Sequence, residues 1–185
     1  FYEEKNEIWV TTWNKLYNLS FLKEFHIHFL EHVYHEDIVM HAMLALNTRS
    51  FTLTSQTTYL YNCKREDSIT NIEQGYTLKH LNDLTIVFSE IRRLIQADNN
   101  LSKHLQKEIN LYYLFEIYHR YLPAMYSNIK RVDLIKGLAR LSQNCLPPIL
   151  ETRLTFKSIK RFLFLKLPFN IQYLIKSHKY KKSRV

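Results

Sequence analysis

The sequence predicts an α/β sheet-and-helix layer over residues 1–72, followed by an all-α extension, with helix the commonest element overall. Two patterns carry that expectation. In the first 72 residues short β-prone runs alternate with helical ones, whereas from about residue 76 apolar positions recur only at spacings of three and four. The extension itself divides by charge into a helical part, 73–150, and a basic tail, 151–185.

Taken in order, Ile8 to Thr12 and Phe51 to Tyr61 are rich in β-branched and aromatic residues and read as strands. Between them, Ser20 to Phe25 and Asp37 to Leu46 read as short helices. Leu78, Leu81, Leu84, Phe88, Ile91 and Ile95 then share one helical face until Asp98-Asn99-Asn100 breaks the pattern. A second helix groups Leu101, Leu105, Ile109 and Tyr112, and should end near Pro123, because proline disfavours helical geometry in the residue before it. A third, over 124–143, carries Met125, Ile129, Val132 and Ile135, and Pro147-Pro148 closes it.

Composition excludes several classes of function. Gly75 and Gly137 are the only glycines among 185 residues, where average usage would give roughly a dozen. A three-glycine dinucleotide fingerprint and a two-glycine phosphate loop are therefore both impossible. Cys63 and Cys145 lie far apart in no paired pattern, which excludes a zinc ribbon or disulfide scaffold and suits a reducing compartment. No apolar run reaches the roughly 18 residues needed to cross a membrane. The opening Phe1-Tyr2-Glu3-Glu4-Lys5 is acidic where a signal peptide is basic and then apolar, and it lacks an initiator methionine. It reads as a chain missing an N-terminal portion.

The net charge of +9 is a local property. Residues 1–150 carry 16 Lys/Arg against 16 Asp/Glu, while residues 151–185 carry ten Lys/Arg against Glu151 alone. In that tail Phe156, Ile159, Leu163 and Leu167 lie near one helical face, and Lys157, Lys160 and Arg161 lean away from it. An amphipathic basic segment of this kind suits peripheral contact with an anionic membrane; a solvated terminus is the plainer alternative. The tail belongs to no recognised nucleic-acid module, so no specific nucleic-acid partner is expected.

The stretches with most chemical content are Trp13-Asn14-Lys15-Leu16-Tyr17, His35-Glu36-Asp37, Tyr59-Leu60-Tyr61-Asn62, and Arg65-Glu66-Asp67-Ser68-Ile69-Thr70-Asn71. In this order and spacing, across about residues 8–71, the chain resembles the C-terminal part of the bacterial family 2 glycosyltransferases, which have the GT-A fold. The resemblance implies an inverting, nucleotide-sugar-dependent enzyme of surface polysaccharide or lipooligosaccharide synthesis, cytoplasmic or peripheral on the inner face of the cytoplasmic membrane. Its partners would be a nucleotide-sugar donor and a saccharide or lipid-linked acceptor.

Inverting transfer needs a carboxylate to take the proton of the attacking acceptor hydroxyl. The resemblance assigns that role to Asp37, with Glu36 beside it. A helix N-terminus favours the ionised form of a carboxylate placed there. Lys64, Arg65 and, more weakly, Lys15 are candidates for contacts with the donor diphosphate or its loop, and His35 and Trp13 for the acceptor side. The family's N-terminal half carries a metal-binding Asp-x-Asp motif that occurs nowhere here. A divalent ion, Mg or Mn, is expected for the complete enzyme with its ligands outside this chain, which alone should be incomplete and inactive.

Two other readings stay open. His26, His28, His32, His35 and His41 place five of nine histidines in sixteen residues, and His28 and His32 have helical i, i+4 spacing. No HExxH pattern or nearby cysteine completes a site, so no metal ligand is assigned among them. The alternative to an enzyme is a non-enzymatic helical interaction module that docks through its basic tail to an anionic membrane or acidic partner.

Overall fold

The computed structural model describes residues 12–52, 54, 56–57, 59–60 and 76–182, with side chains described through residue 176. The chain divides into two compact units, Phe1–Gln74 and Gly75–Val185. Every regular element among the described residues is helical. The expected sheet-and-helix layer is thereby corrected: no strand is present among them. Most of Ile8 to Thr12 lies outside the described residues, and the described part of Phe51 to Tyr61 is irregular, with Phe51, Tyr59 and Leu60 exposed. Aromatic and β-branched content suits a pleated, half-buried surface, but a strand exists only where a second one satisfies its backbone N–H and C=O groups. No second strand lies alongside among the described residues.

The first unit holds α1 (Leu19–Glu24) and α2 (Glu36–Asn47). Asn18 caps α1, its Oδ1 accepting from the backbone N–H of Ser20 at 2.9 Å and of Phe21 at 3.3 Å. The helix stops where His26 turns left-handed at φ 48°. The inward side of α2 is Ile38, Val39, Met40, Ala42 and Met43, all buried. Its last turn closes with the Asn47 side-chain amide donating to the Met43 carbonyl.

The second unit is a helical assembly of α3 (Leu78–Ala97), α4 (Lys103–Met125), α5 (Arg131–Asn144), a single 3-10 turn at Ile149–Glu151, α6 (Phe156–Lys166) and α7 (Phe169–Lys182). At the start of α3, Thr77 and His80 cap each other: Thr77 N–H donates to His80 Nδ1 and His80 N–H donates to Thr77 Oγ1. The buried stripe of α3 is Leu81, Leu84, Val87, Phe88, Ile91 and Ile95, matching the spacing in the sequence, and it packs chiefly on α5. At that contact Gly137 lets the two helices approach closely. A Cβ at Gly137 would stand 2.6 Å from Cδ2 of Leu81, a side chain fully buried.

Two sequence expectations are corrected here, on the face of α4 and on the start of the third helix. The inward face of α4 is Asn110, Leu111, Tyr113, Leu114, Ile117 and Tyr121, whereas Leu105 is exposed. Asn110 tolerates burial because its amide donates to the Glu151 carbonyl at 2.8 Å. α4 does end near Pro123, at Met125, although the residue before the proline stays helical; the proline sits in the last turn on the exposed side, where the carbonyl left without its N–H partner is open to water. The third helix starts at Arg131, not 124, and buries Leu134, Gly137, Leu138 and Leu141, leaving Val132 63% exposed.

Polar side chains fasten α6 and α7 to α4. The Tyr121 hydroxyl donates to Gln172 Oε1 at 2.6 Å, and Gln172 Nε2 donates to the Phe164 carbonyl at 2.8 Å, with Gln172 1% exposed. Burial pushes the Tyr121 hydroxyl up to about 12 against the opposing effect of that bond. Arg161 lies 3.9 Å above the Phe115 ring, and Lys176 Nζ donates to the Tyr118 hydroxyl at 2.6 Å. Cys145 is buried between α3 and α5, its thiol directed at the Thr85 carbonyl at 3.4 Å, and burial raises its pKa. Among the described residues no helix is long and apolar enough to cross a membrane.

Alanine at position 137 gains about 1 kcal/mol of helix propensity, against about 1–3 kcal/mol for overpacking a closed contact. Gly137→Ala is therefore expected to lower the urea midpoint; a raised midpoint would mean that Leu81 moves aside freely. Tyr121→Phe leaves a buried amide oxygen without its donor and is expected to cost about 1–3 kcal/mol. Hydrogen exchange should then accelerate first at the start of α7, and equal acceleration across α3 would refute this placement.

Candidate functional site

The chemistry-bearing residues of the first unit sit on two short pieces of backbone. The first is the turn over residues 12–17, closed by the Tyr17 hydroxyl donating to the Thr12 carbonyl at 3.2 Å. It carries Trp13 and Lys15. Trp13 is 42% exposed and stacks on Tyr59 with ring centroids 4.4 Å apart at 31°. Lys15 Nζ donates to Asn14 Oδ1 at 2.8 Å. The pair Trp13 and Tyr59, separated by 46 positions in sequence, forms a partly exposed aromatic ledge.

The second piece is the start of α2. His35 adopts a left-handed backbone, φ 66°, and offers the helix no side-chain cap. Glu36 and Asp37 fill the first turn, so their carboxylates answer the positive end of the helix in place of a capping hydroxyl. Ile38 and Val39 immediately beneath are 2% and 0% exposed. Those two side chains fix the turn, and the half-buried Asp37 therefore rides on a rigid element.

Electrostatics join the two pieces. Burial lowers the pKa of Lys15, and the neighbouring Asp37 carboxylate opposes that shift. His41, one helical turn beyond Asp37, has its pKa lowered first by burial and then by Lys15. Lys15, Asp37 and His41 thus form one electrostatic cluster: Lys15 interacts with the Asp37 carboxylate, and burial together with the Lys15 charge disfavours protonation of the His41 imidazole. Sequence reasoning reached Asp37 and, as a weak candidate, Lys15; it counted His41 only within a histidine-rich stretch. The signal for His41 was its i, i+4 relation to Asp37 on a helix.

The remaining candidates fall elsewhere. Lys64 and Arg65 lie outside the described residues. His28 and His32 do not share a helix: His28 Nδ1 is 2.6 Å from the His26 carbonyl, and His26, His32 and His35 all take positive φ. The histidine-rich stretch is therefore turn-forming, since histidine is among the residues enriched in left-handed geometry. A shallow depression of about 490 Å³ lined by Leu19, Leu22, Lys23, His26, Ile27 and His28 lies beside α1, with none of the Lys15–Asp37–His41 cluster in its wall.

The described residues do not offer a donor set for the divalent ion that the resemblance implies, because no three His, Cys, Asp or Glu side chains converge among them. No protein-family model, curated protein or solved structure matches this chain.

Lys15→Met removes one of the two causes that depress His41. Its pKa is expected to rise while staying below the ordinary histidine value, since burial remains. Neutral His41 contributes stability that is present above that ordinary value and lost as pH falls through the depressed folded value, so the variant should narrow the window of loss. A two-dimensional NMR titration of the His41 ring reads the shift, and an unmoved midpoint would separate Lys15 from the cluster.

Proposed function

We propose that the first unit carries the acceptor-side base of an inverting, nucleotide-sugar-dependent glycosyltransferase of surface polysaccharide or lipooligosaccharide synthesis. The observation that supports this most is the electrostatic interaction of Asp37, at the start of α2, with Lys15, on a turn that also carries Trp13. Neither residue type is unusual alone. A carboxylate that interacts with a cation, on whose turn a partly exposed aromatic ring also sits, is a set of groups suited to holding and deprotonating a saccharide hydroxyl.

The chemistry follows from the placement. An apolar sugar face stacks on the Trp13 side of the ledge, bringing an acceptor hydroxyl towards Asp37. The Asp37 carboxylate takes the hydroxyl proton as the oxygen attacks the anomeric carbon of the donor from the side opposite the diphosphate. The bond from that carbon to the diphosphate oxygen breaks, its electron pair leaves with the nucleoside diphosphate, and the anomeric configuration inverts. Lys15 favours the charged form of the base before the acceptor arrives. His41, whose protonation is disfavoured, adds no second cation beside it. Glu36 shares the helix start, and His35 stands at the acceptor side. Lys64 and Arg65 are assigned to the diphosphate or its loop by the family resemblance.

Asp37→Asn keeps the shape of the side chain while removing its basicity. Made in the polypeptide as its source cells produce it, the substitution is expected to slow transfer by about 10²-fold or more with helix content unchanged by circular dichroism. Mass analysis of the cells' surface glycan should then show a missing sugar. A glycan of unaltered mass would overturn the assignment.

A further inference from the structure

We propose that α6 and α7 together form a docking face for an anionic lipid bilayer, with apolar side chains entering the headgroup boundary and lysines meeting the lipid phosphates. The inference does not rest on sugar transfer by the first unit. It begins from an apolar stripe that the packing of α6 leaves outward. Its inward residues are Ser158, Phe164 and Leu165, and α7 turns Gln172 inward. Beyond that inward face a second set of apolar residues points outward: Phe156 at 83% exposure, Ile159 at 41% and Leu163 at 58% on α6, then Ile171 at 45%, Leu174 at 69% and Ile175 at 45% on α7. Spacings of three and four within each helix make them two continuous stripes.

A single exposed leucine needs no explanation, but two consecutive helices that turn their apolar stripes to solvent mark an interaction surface. The identity of the occupant follows from charge and shape. Lys157, Lys160 and Lys166 are exposed beside the α6 stripe. The segment 151–185 holds ten Lys/Arg against one Glu, so a second copy of this face would be repelled. An anionic surface is attracted. Phe156 and Leu174 stand proud of the helices, and a fluid acyl boundary accepts such side chains without a matching set of holes. At 11 and 14 residues, α6 and α7 are too short to span a bilayer and suited to lie in its plane. Arg161 and Lys176 are excluded from the docking charge, because they already sit on the rings of α4.

Sedimentation of the full chain with vesicles tests the proposal. Phosphatidylcholine vesicles containing phosphatidylglycerol should pellet it, and phosphatidylcholine alone should do so far less. The triple change Phe156→Ser, Leu163→Ser, Leu174→Ser keeps the net charge and alters only exposed positions; it should weaken binding by about tenfold or more. Lys157→Gln, Lys160→Gln, Lys166→Gln should weaken it too and flatten its salt dependence, and this second set decides the matter if the triple serine chain loses helix. Failure to pellet with the anionic vesicles overturns the proposal. So does equal pelleting of the parent and both variants. A dimer that the serine variant abolishes would name a second copy as the occupant, and equal capture by soluble polyglutamate would name an acidic protein; either result overturns the lipid assignment.

Discussion

Gln172 is the point on which the second unit turns. A glutamine side chain 1% exposed is tolerable only when both ends of its amide are engaged, and here the oxygen takes the Tyr121 hydroxyl while the nitrogen reaches the Phe164 carbonyl. One side chain thus links α4, the end of α6 and the start of α7. Elsewhere in the unit Asn110 binds the carbonyl of Glu151, and Ser158 Oγ binds the Arg153 carbonyl, so the chain that leads into α6 is tied down by polar bonds. On the opposite side, α3 and α5 meet by close approach at Gly137, with bulk apolar packing on either side. The unit therefore has one seam governed by steric fit and another governed by hydrogen bonds.

The first unit is built on a smaller scale, and its cluster depends on that economy of structure. Six residues of turn, closed by one tyrosine hydroxyl, carry both Trp13 of the aromatic ledge and the cation. A twelve-residue helix anchored by Ile38 and Val39 carries the carboxylate and the imidazole. Histidines at left-handed positions make the bends between them, doing with a side chain what glycine does in most chains. In a chain with two glycines, that substitution is a coherent strategy: the backbone is steered by strained residues that the surrounding packing holds in place.

How far the sequence could be read depended on whether large apolar side chains coincide with the interior. On α3 they do, and Leu81, Leu84, Phe88, Ile91 and Ile95 were legible from spacing alone. On α4 and α5 the inward faces include Asn110, Tyr121, Gly137 and Ser142, and a reading that equates apolar with inward misplaces Leu105, Val132 and Ile135. The sheet was misread for a related reason, because aromatic content in Phe51 to Tyr61 reports suitability for a strand without supplying a partner for one. Asp37 was legible as a residue at a helix start. Its electrostatic interaction with Lys15 was not, since that interaction joins segments more than twenty positions apart and leaves no trace in local spacing.

The polar seam that holds α6 and α7 responds to its surroundings differently from an apolar one. Leucine packing owes its strength to water and weakens wherever water is replaced by something less cohesive. Hydrogen bonds such as Tyr121 to Gln172, Gln172 to Phe164 and Lys176 to Tyr118 gain strength as the local dielectric falls. A helix pair fastened in this way keeps its posture in media that would loosen a greasy joint, much as a bolted bracket outlasts a glued one in solvent.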